Sequence, residues 1–225
     1  MVLKSSFKLI LAISSLFFVN FLIAQNRESR SLVFTPGAEL VSSYIWRGQD
    51  YSHTPSFQPW AEISWKGFTL GARSAFRISG EGEDEIDFYL NKEIGPFLIS
   101  LWRYWGYREG YNTSQMYEGQ IYWSIGEKNT LQFMLSSLFE EPHNRGTIYA
   151  ECEYLLNLKE SHEFKFHIGA QLKGDYYSSG NGIVNCGASY KKMFTVLSRR
   201  GCYLTFSAIF NPMANKGYLT AAIGF

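Results

Sequence analysis

Two groups of opposite charges stand out in the sequence. Arg73 and Arg77 follow Glu62 and precede Glu85 and Asp87, and Glu151 and Glu153 precede Lys165 and His167. Along an extended chain, residues two apart share a face. Opposite charges on adjacent strands attract by about 0.2–1 kcal/mol at exposed sites. In a poorly hydrated interior a lone partner is worse than none. Glu151 and Glu153 also have the composition of a glycosidase carboxylate pair, but that reaction needs a sugar cleft between them. With Lys165 nearby they read more simply as a charged lining.

Other chemistries find little support. Acyl hydrolysis or transfer needs a nucleophile beside a base. The four histidines are His53, His143, His162 and His167. Only His143, with Ser136 or Ser137 upstream, offers a Ser/His combination, and no G-x-S-x-G element accompanies it. Cys152, Cys186 and Cys202 form no C-x-x-C and no ligand-spaced cluster with histidine, which disfavours structural zinc. Phosphate-loop and dinucleotide fingerprints are absent. The expectation is therefore no metal, no cofactor and no catalytic residue. Nucleic acid is not expected as a partner, because Lys plus Arg is 21 against 20 for Asp plus Glu, leaving no basic surplus for phosphates.

The composition indicates what must position these charges. The 225 residues are 17% aromatic and only 18% charged, against about 25% charged in soluble globular proteins. Such a chain is neither disordered nor typical of a soluble domain. It reads as sheet in contact with lipid. Met1 to Lys8 is basic, and Leu9 to Ala24 is apolar apart from Ser14, Ser15 and Asn20. This is the pattern of a cleavable signal peptide over 1–24, too short to cross a bilayer as a helix, with cleavage near Ala24 or Gln25. Residues 25–225 would form a single domain.

Beyond residue 30 the recurring period is two. Phe164, Phe166, Ile168, Ala170 and Leu172 alternate with Lys165, His167, Gly169, Gln171 and Lys173, and the same apolar-polar alternation recurs through the chain. Twelve strands are expected, at 37–47, 57–66, 67–77, 85–94, 96–105, 115–126, 130–140, 147–159, 162–173, 182–191, 201–210 and 217–225. Met193 to Leu197 could extend the tenth. Alternate connections are long and short, 192–200 excepted. With an even strand number, this is the signature of a transmembrane antiparallel β-barrel of the outer membrane, with both termini periplasmic. A sheet in hydrocarbon must close on itself. Tyr44, Trp46, Trp60, Trp65, Trp102, Tyr104 and Trp105 are expected to anchor the two rims.

The stretch Glu39 to Gly48, with Ser-Tyr-Ile-Trp-Arg-Gly at its end, resembles the opening strand of a small family of uncharacterised porin-type outer-membrane proteins of Gram-negative bacteria. Gln58-Pro59, Asn211-Pro212 and the closing strand Tyr218 to Phe225 are similar to that family too. The signal ending Ala-Gln resembles those of Bacteroidetes. The recognisable motifs occupy the two ends of the chain. Phe225, with Ile223 before it, resembles the assembly signal of outer-membrane barrels, although Ala221 and Ile223 stand where an aromatic is common. The resemblance implies contact with outer-membrane lipid and lipopolysaccharide, and handling by periplasmic chaperones and the barrel-assembly machinery.

With the apolar faces on lipid, the lumen would be lined by Arg73, Arg77, Glu85, Asp87, Glu118, Glu151, Glu153, Lys165 and His167. Glu39, Arg47, Glu62, Gln171 and Lys173 belong to the same inner face. A twelve-stranded lumen lies between filled eight-stranded barrels and wide porins. The longest outer loops are about nine residues, so no internal plug or constriction loop is expected. Passive diffusion of small polar solutes is the leading function. The alternatives are a plugged structural or accessory barrel, a lipid-modifying hydrolase, and an adhesion barrel binding through its outer loops. Near-balanced charge predicts weak ion selectivity. The acidic loop Gly80 to Glu85 could bridge cations to lipopolysaccharide but reads first as a solvated turn.

Overall fold

A computed structural model describes residues 31–80, 84–108, 111–141, 145–159, 161–196 and 199–225. The expected signal peptide over 1–24, His143 and most of the acidic loop tip lie outside these residues. The strands are β1 (Val33–Val41), β2 (Ile45–Trp46), β3 (Gln49–Asp50), β4 (Ser56–Trp65), β5 (Phe68–Arg77), β6 (Asp84–Ile94), β7 (Phe97–Arg108), β8 (Tyr111–Ile125), β9 (Thr130–Glu141), β10 (Arg145–Lys159), β11 (His162–Lys173), β12 (Gly182–Val196), β13 (Arg199–Asn211) and β14 (Lys216–Gly224). Twelve of them form one closed antiparallel barrel, and β2 and β3 form a separate two-stranded sheet.

Each barrel strand pairs with its neighbours in the chain, and β1 closes the ring on β14 through Glu39↔Gly224, Leu40↔Ile223 and Val41↔Ala222. Reciprocal bonds between Ala38 and Phe225, at 2.9 and 3.0 Å, extend the seam to the last residue. Every strand edge is thereby paired, as hydrocarbon requires. The apolar members of the alternating runs face outward: Leu70, Phe88, Ile121, Leu135, Phe166, Ile168 and Phe206 are all exposed on the wall. A closed barrel with this exterior is a transmembrane-type barrel, and it is consistent with an outer-membrane location.

The short ends follow from turn chemistry. Lys66 and Gly67, at φ 49° and 71°, join Trp65 to the facing Phe68 in a two-residue hairpin whose twist suits the strands. The expected exception at 192–200 is shorter than the sequence indicates, because β12 runs to Val196 and β13 starts at Arg199.

The start of the barrel differs from the sequence reading. The first strand spans Val33–Val41, not 37–47. Ser42 is still bonded to Ala221 of the wall, and beyond it the chain turns inward as the β2–β3 hairpin. Tyr44 is buried, and Trp46 packs among Tyr104, Tyr176 and Tyr177 rather than at a rim. Trp102 and Tyr104 are also inside, with rings 5.6 Å apart. The expectation of no internal plug is overturned by this hairpin and by the inward loop 174–181. Wall side chains alone do not fill a ring of this size. Rings left in a wide lumen would stay solvated, whereas each one buried gains roughly 1.5–3 kcal/mol. The result is an internal core of Tyr104, Met116, Met134, Leu138, Tyr149, Tyr177 and Val184.

Candidate functional site

The inward hairpin turns at Arg47-Gly48, with Trp46 facing Gln49. Both turn residues have positive φ, 48° and 75°, the geometry of a type I′ turn. Its base is tied by Ser43 Oγ donating to Asp50 Oδ1 at 2.8 Å, by the Tyr44 amide donating to Ser52 Oγ at 2.8 Å, and by the Tyr51 amide donating to the Tyr44 carbonyl at 2.9 Å. At the tip, a Cβ on Gly48 would lie 2.0 Å from the Val184 carbonyl oxygen. Asn211 Nδ2 donates to the Gly48 carbonyl at 3.1 Å. The tip is thus seated directly on the backbone of β12.

Arg47 reaches from this tip to the wall. Its Nη1 lies 2.6 Å from Glu118 Oε1 on β8 and also donates to the Tyr177 hydroxyl. The guanidinium lies over the Tyr149 ring at 4.3 Å and the Trp46 ring at 4.8 Å. Arg47 is 8% exposed and Glu118 2%, so neither charge retains much water. The other Glu118 oxygen accepts from Tyr104 at 2.7 Å and from Gln120 at 2.6 Å, and Tyr122 in turn donates to Gln120 at 2.6 Å. A buried pair with its remaining oxygen satisfied is the arrangement in which the desolvation cost is met.

The second inward segment, 174–181, is organised by the fully buried Gln171. Its amide nitrogen lies 2.9 Å from the carbonyls of Gly174, Ser178 and Gly180, and its oxygen accepts from the Tyr177 amide at 2.8 Å. Gln49 Nε2 donates to the Tyr177 carbonyl at 3.2 Å, which joins loop and hairpin.

The charges singled out in the sequence fall into smaller sets than the two clusters expected. Arg73 pairs with Asp87 at 2.9 Å and stands 3.9 Å from Glu85. Tyr44 lies between them, accepting from Arg73 at 2.7 Å and donating to Glu85 at 3.1 Å. Arg77 meets Asp84 at the outer end, 3.3 Å away. Glu62 accepts from Tyr89 at 2.6 Å. On the facing wall Lys165 pairs with Glu153 at 3.1 Å. Glu151 accepts instead from Asn185 at 2.9 Å and from Tyr149, and His167 Nε2 lies 3.2 Å from Asn185 Oδ1. Lys173 is exposed at the end of β11.

The hairpin borders two spaces. A cavity of about 350 Å³ has walls from Trp46, Arg47, Arg73, Trp102, Tyr122 and Glu153, among others. A smaller one of about 140 Å³ is bounded by Tyr44, Tyr51, Arg77, Asp84, Glu85 and Tyr176. Sequence reasoning missed Tyr44, Trp46, Tyr104 and Tyr177 as interior residues. The available signal was the Arg47-Gly48 pair, a composition suited to a tight turn.

Among the described residues there is no group of three or more His, Cys, Asp or Glu arranged to hold a metal ion. Cys152, Cys186 and Cys202 are free. Ser136 is buried.

The sequence matches no family model. No curated protein matches it either. Among solved structures, the crystal structure of an outer-membrane channel from Pseudomonas putida F1 is similar, with a TM-score of 0.48 and 11% identity over 89% of this chain and 97% of that one. The closed strand pairing, rather than this likeness, defines the fold here.

Proposed function

We propose that the protein is an outer-membrane channel for passive passage of small polar solutes, narrowed by the inward hairpin. The observation that carries this reading is the cavity of about 350 Å³ with charged and amide walls, enclosed by a barrel whose exterior is apolar. In this reading Arg73, Arg77, Glu85, Asp87, Glu118, Glu151, Glu153, Lys165 and His167 line or flank the path and set its charge preference. Because Arg73, Arg47 and Lys165 each already face a carboxylate, that preference is weak. The outer wall meets lipid and lipopolysaccharide. Ile223 on the closing strand and Phe225 just beyond it serve the assembly machinery. No residue is assigned a catalytic role.

A second reading has its own support. Tyr149, Val184 and Gln171 are fully buried, which favours a barrel that is closed at rest. Single-channel recording in a planar bilayer separates the two. Unitary steps from the wild type support the open, narrowed channel. Steps only after residues 42–55 are replaced by a short turn support a closed barrel opened by hairpin release. Silence from both overturns the channel reading.

A further inference from the structure

We propose that the cavity beside the hairpin tip is a binding site for a neutral saccharide of one or two rings. The proposal rests on the channel reading for its place on a solute path, but the site itself stands on the cavity wall. One side of that wall is a run of aromatic rings. Tyr89 stacks on Trp102 with centroids 4.3 Å apart, Trp102 on Tyr104 at 5.6 Å and an interplanar angle of 10°, and Tyr104 meets Trp46 at 5.3 Å. Trp46, Trp102 and Tyr104 reach the cavity surface. Tyr89 and the Arg73 guanidinium already stand over Trp102, and Arg47 over Trp46, so the rings form a flat apolar wall, against which the C–H face of a pyranose packs while its hydroxyls turn to the polar side.

The facing wall supplies planar hydrogen-bonding groups. Gln132, Glu151, Glu153 and Asn185 come from β9, β10 and β12. Carboxylates and amides of this kind match the adjacent hydroxyls of a sugar in number and spacing. A volume of about 350 Å³ sits at the small end of ligand pockets, roughly 300–1,000 Å³.

Charge complementarity selects against anions. Each cation at the wall has its counter-charge: Arg47 with Glu118, Arg73 with Asp87. An anion would have to displace one of these carboxylates, whereas a hydroxyl can share the oxygens those pairs leave free, and Glu151, held by Asn185 and Tyr149, adds a further acceptor. The site therefore suits many weak donors and acceptors on a flat apolar ring.

The test is titration of the refolded wild-type barrel with glucose and with maltose, beside glycine and glutamate. It is followed both by calorimetry in detergent and by ion current in a planar bilayer. Saturable heat with at least one sugar and none with the amino acids supports the site, and Trp102→Ala should weaken it tenfold or more. Trp102→Phe, which keeps an aromatic ring of smaller area, should fall between. If Trp102→Ala fails to fold, Gln132→Ala on the facing wall serves the same comparison. Flat titrations with both sugars overturn the proposal, as does equal saturation by glycine. A barrel that binds maltose yet never conducts, even with the hairpin replaced, upholds the site and overturns the channel. One that conducts without any saturable sugar effect does the reverse.

Discussion

Arg47 and Glu118 meet at 2.6 Å inside the barrel although 71 residues separate them in the chain. One belongs to a hairpin tip and the other to the middle of β8, so their contact fastens an inserted segment to the wall. Salt screens such a pair little, because neither group faces bulk water.

Removing one partner should cost more than removing both. Arg47→Ala leaves the Glu118 carboxylate buried with only neutral donors, and the expected loss is about 3–5 kcal/mol. Replacing the pair together by Arg47→Met and Glu118→Leu should cost distinctly less. Urea titration of vesicle-embedded protein measures both. Equal losses would show that the pair does not hold the hairpin. Arg47→Ala should also raise single-channel conductance, since it removes the group that crosses the lumen.

Gly48 should tolerate no side chain. Its φ of 75° costs an L-residue roughly 1–2 kcal/mol, and its Cβ would strike the Val184 carbonyl. Gly95 is a control: its φ is 57° and nothing lies within 4 Å of the corresponding position. Gly48→Ala should undock the hairpin and raise conductance while the barrel still resists unfolding in cold detergent. Gly95→Ala should leave conductance unchanged. Identical currents from the two variants would mean that Gly48 does not seat the tip.

Charge reversal reads the path. Glu151 borders the main cavity and takes part in no ion pair among the described residues. Glu151→Lys should shift the reversal potential in a salt gradient toward anion preference. The measurement uses the wild type, or the hairpin-replaced form if only that conducts. No shift, with conductance also untouched, would remove Glu151 from the path.

Much of the wall was legible in the sequence, and the interior was not. Phe166, Ile168 and Leu172 alternate with polar neighbours because lipid touches only one face of β11, so period two betrays the strand. Arg73 and Asp87 were legible as members of one group of opposite charges on adjacent strands, and the register sets them face to face. Lys165 was harder to assign. Register places it opposite Leu155, with Glu153 one diagonal step away and Glu151 two, and only the pairing itself reveals that offset. Tyr44 and Trp46 misled for a physical reason. Their two-residue spacing is the same in a wall strand and in an inserted hairpin. What distinguishes the two is contact with Tyr104, Tyr177 and Val184, none of them near in sequence.

The outer face makes a depth-dependent prediction. Ile168 lies at mid-strand in β11, 48% exposed, and faces Cys152 and Cys186 on its two neighbours. Leu172 is equally exposed at 49% but sits one residue from the strand end. In hydrocarbon an Arg at the midplane costs about 2–4 kcal/mol, falling to roughly 0–1 near the interface. Ile168→Arg should therefore destabilise the folded barrel in vesicles much more than Leu172→Arg, as read from urea unfolding with tryptophan fluorescence. In detergent, where the surrounding layer adapts to a charge, the gap should narrow. If the two substitutions cost the same in vesicles, this face of β11 does not lie in the hydrocarbon layer. Unequal cost in vesicles that narrows in detergent is what depth in a bilayer produces, since a difference in strand position alone would persist in both.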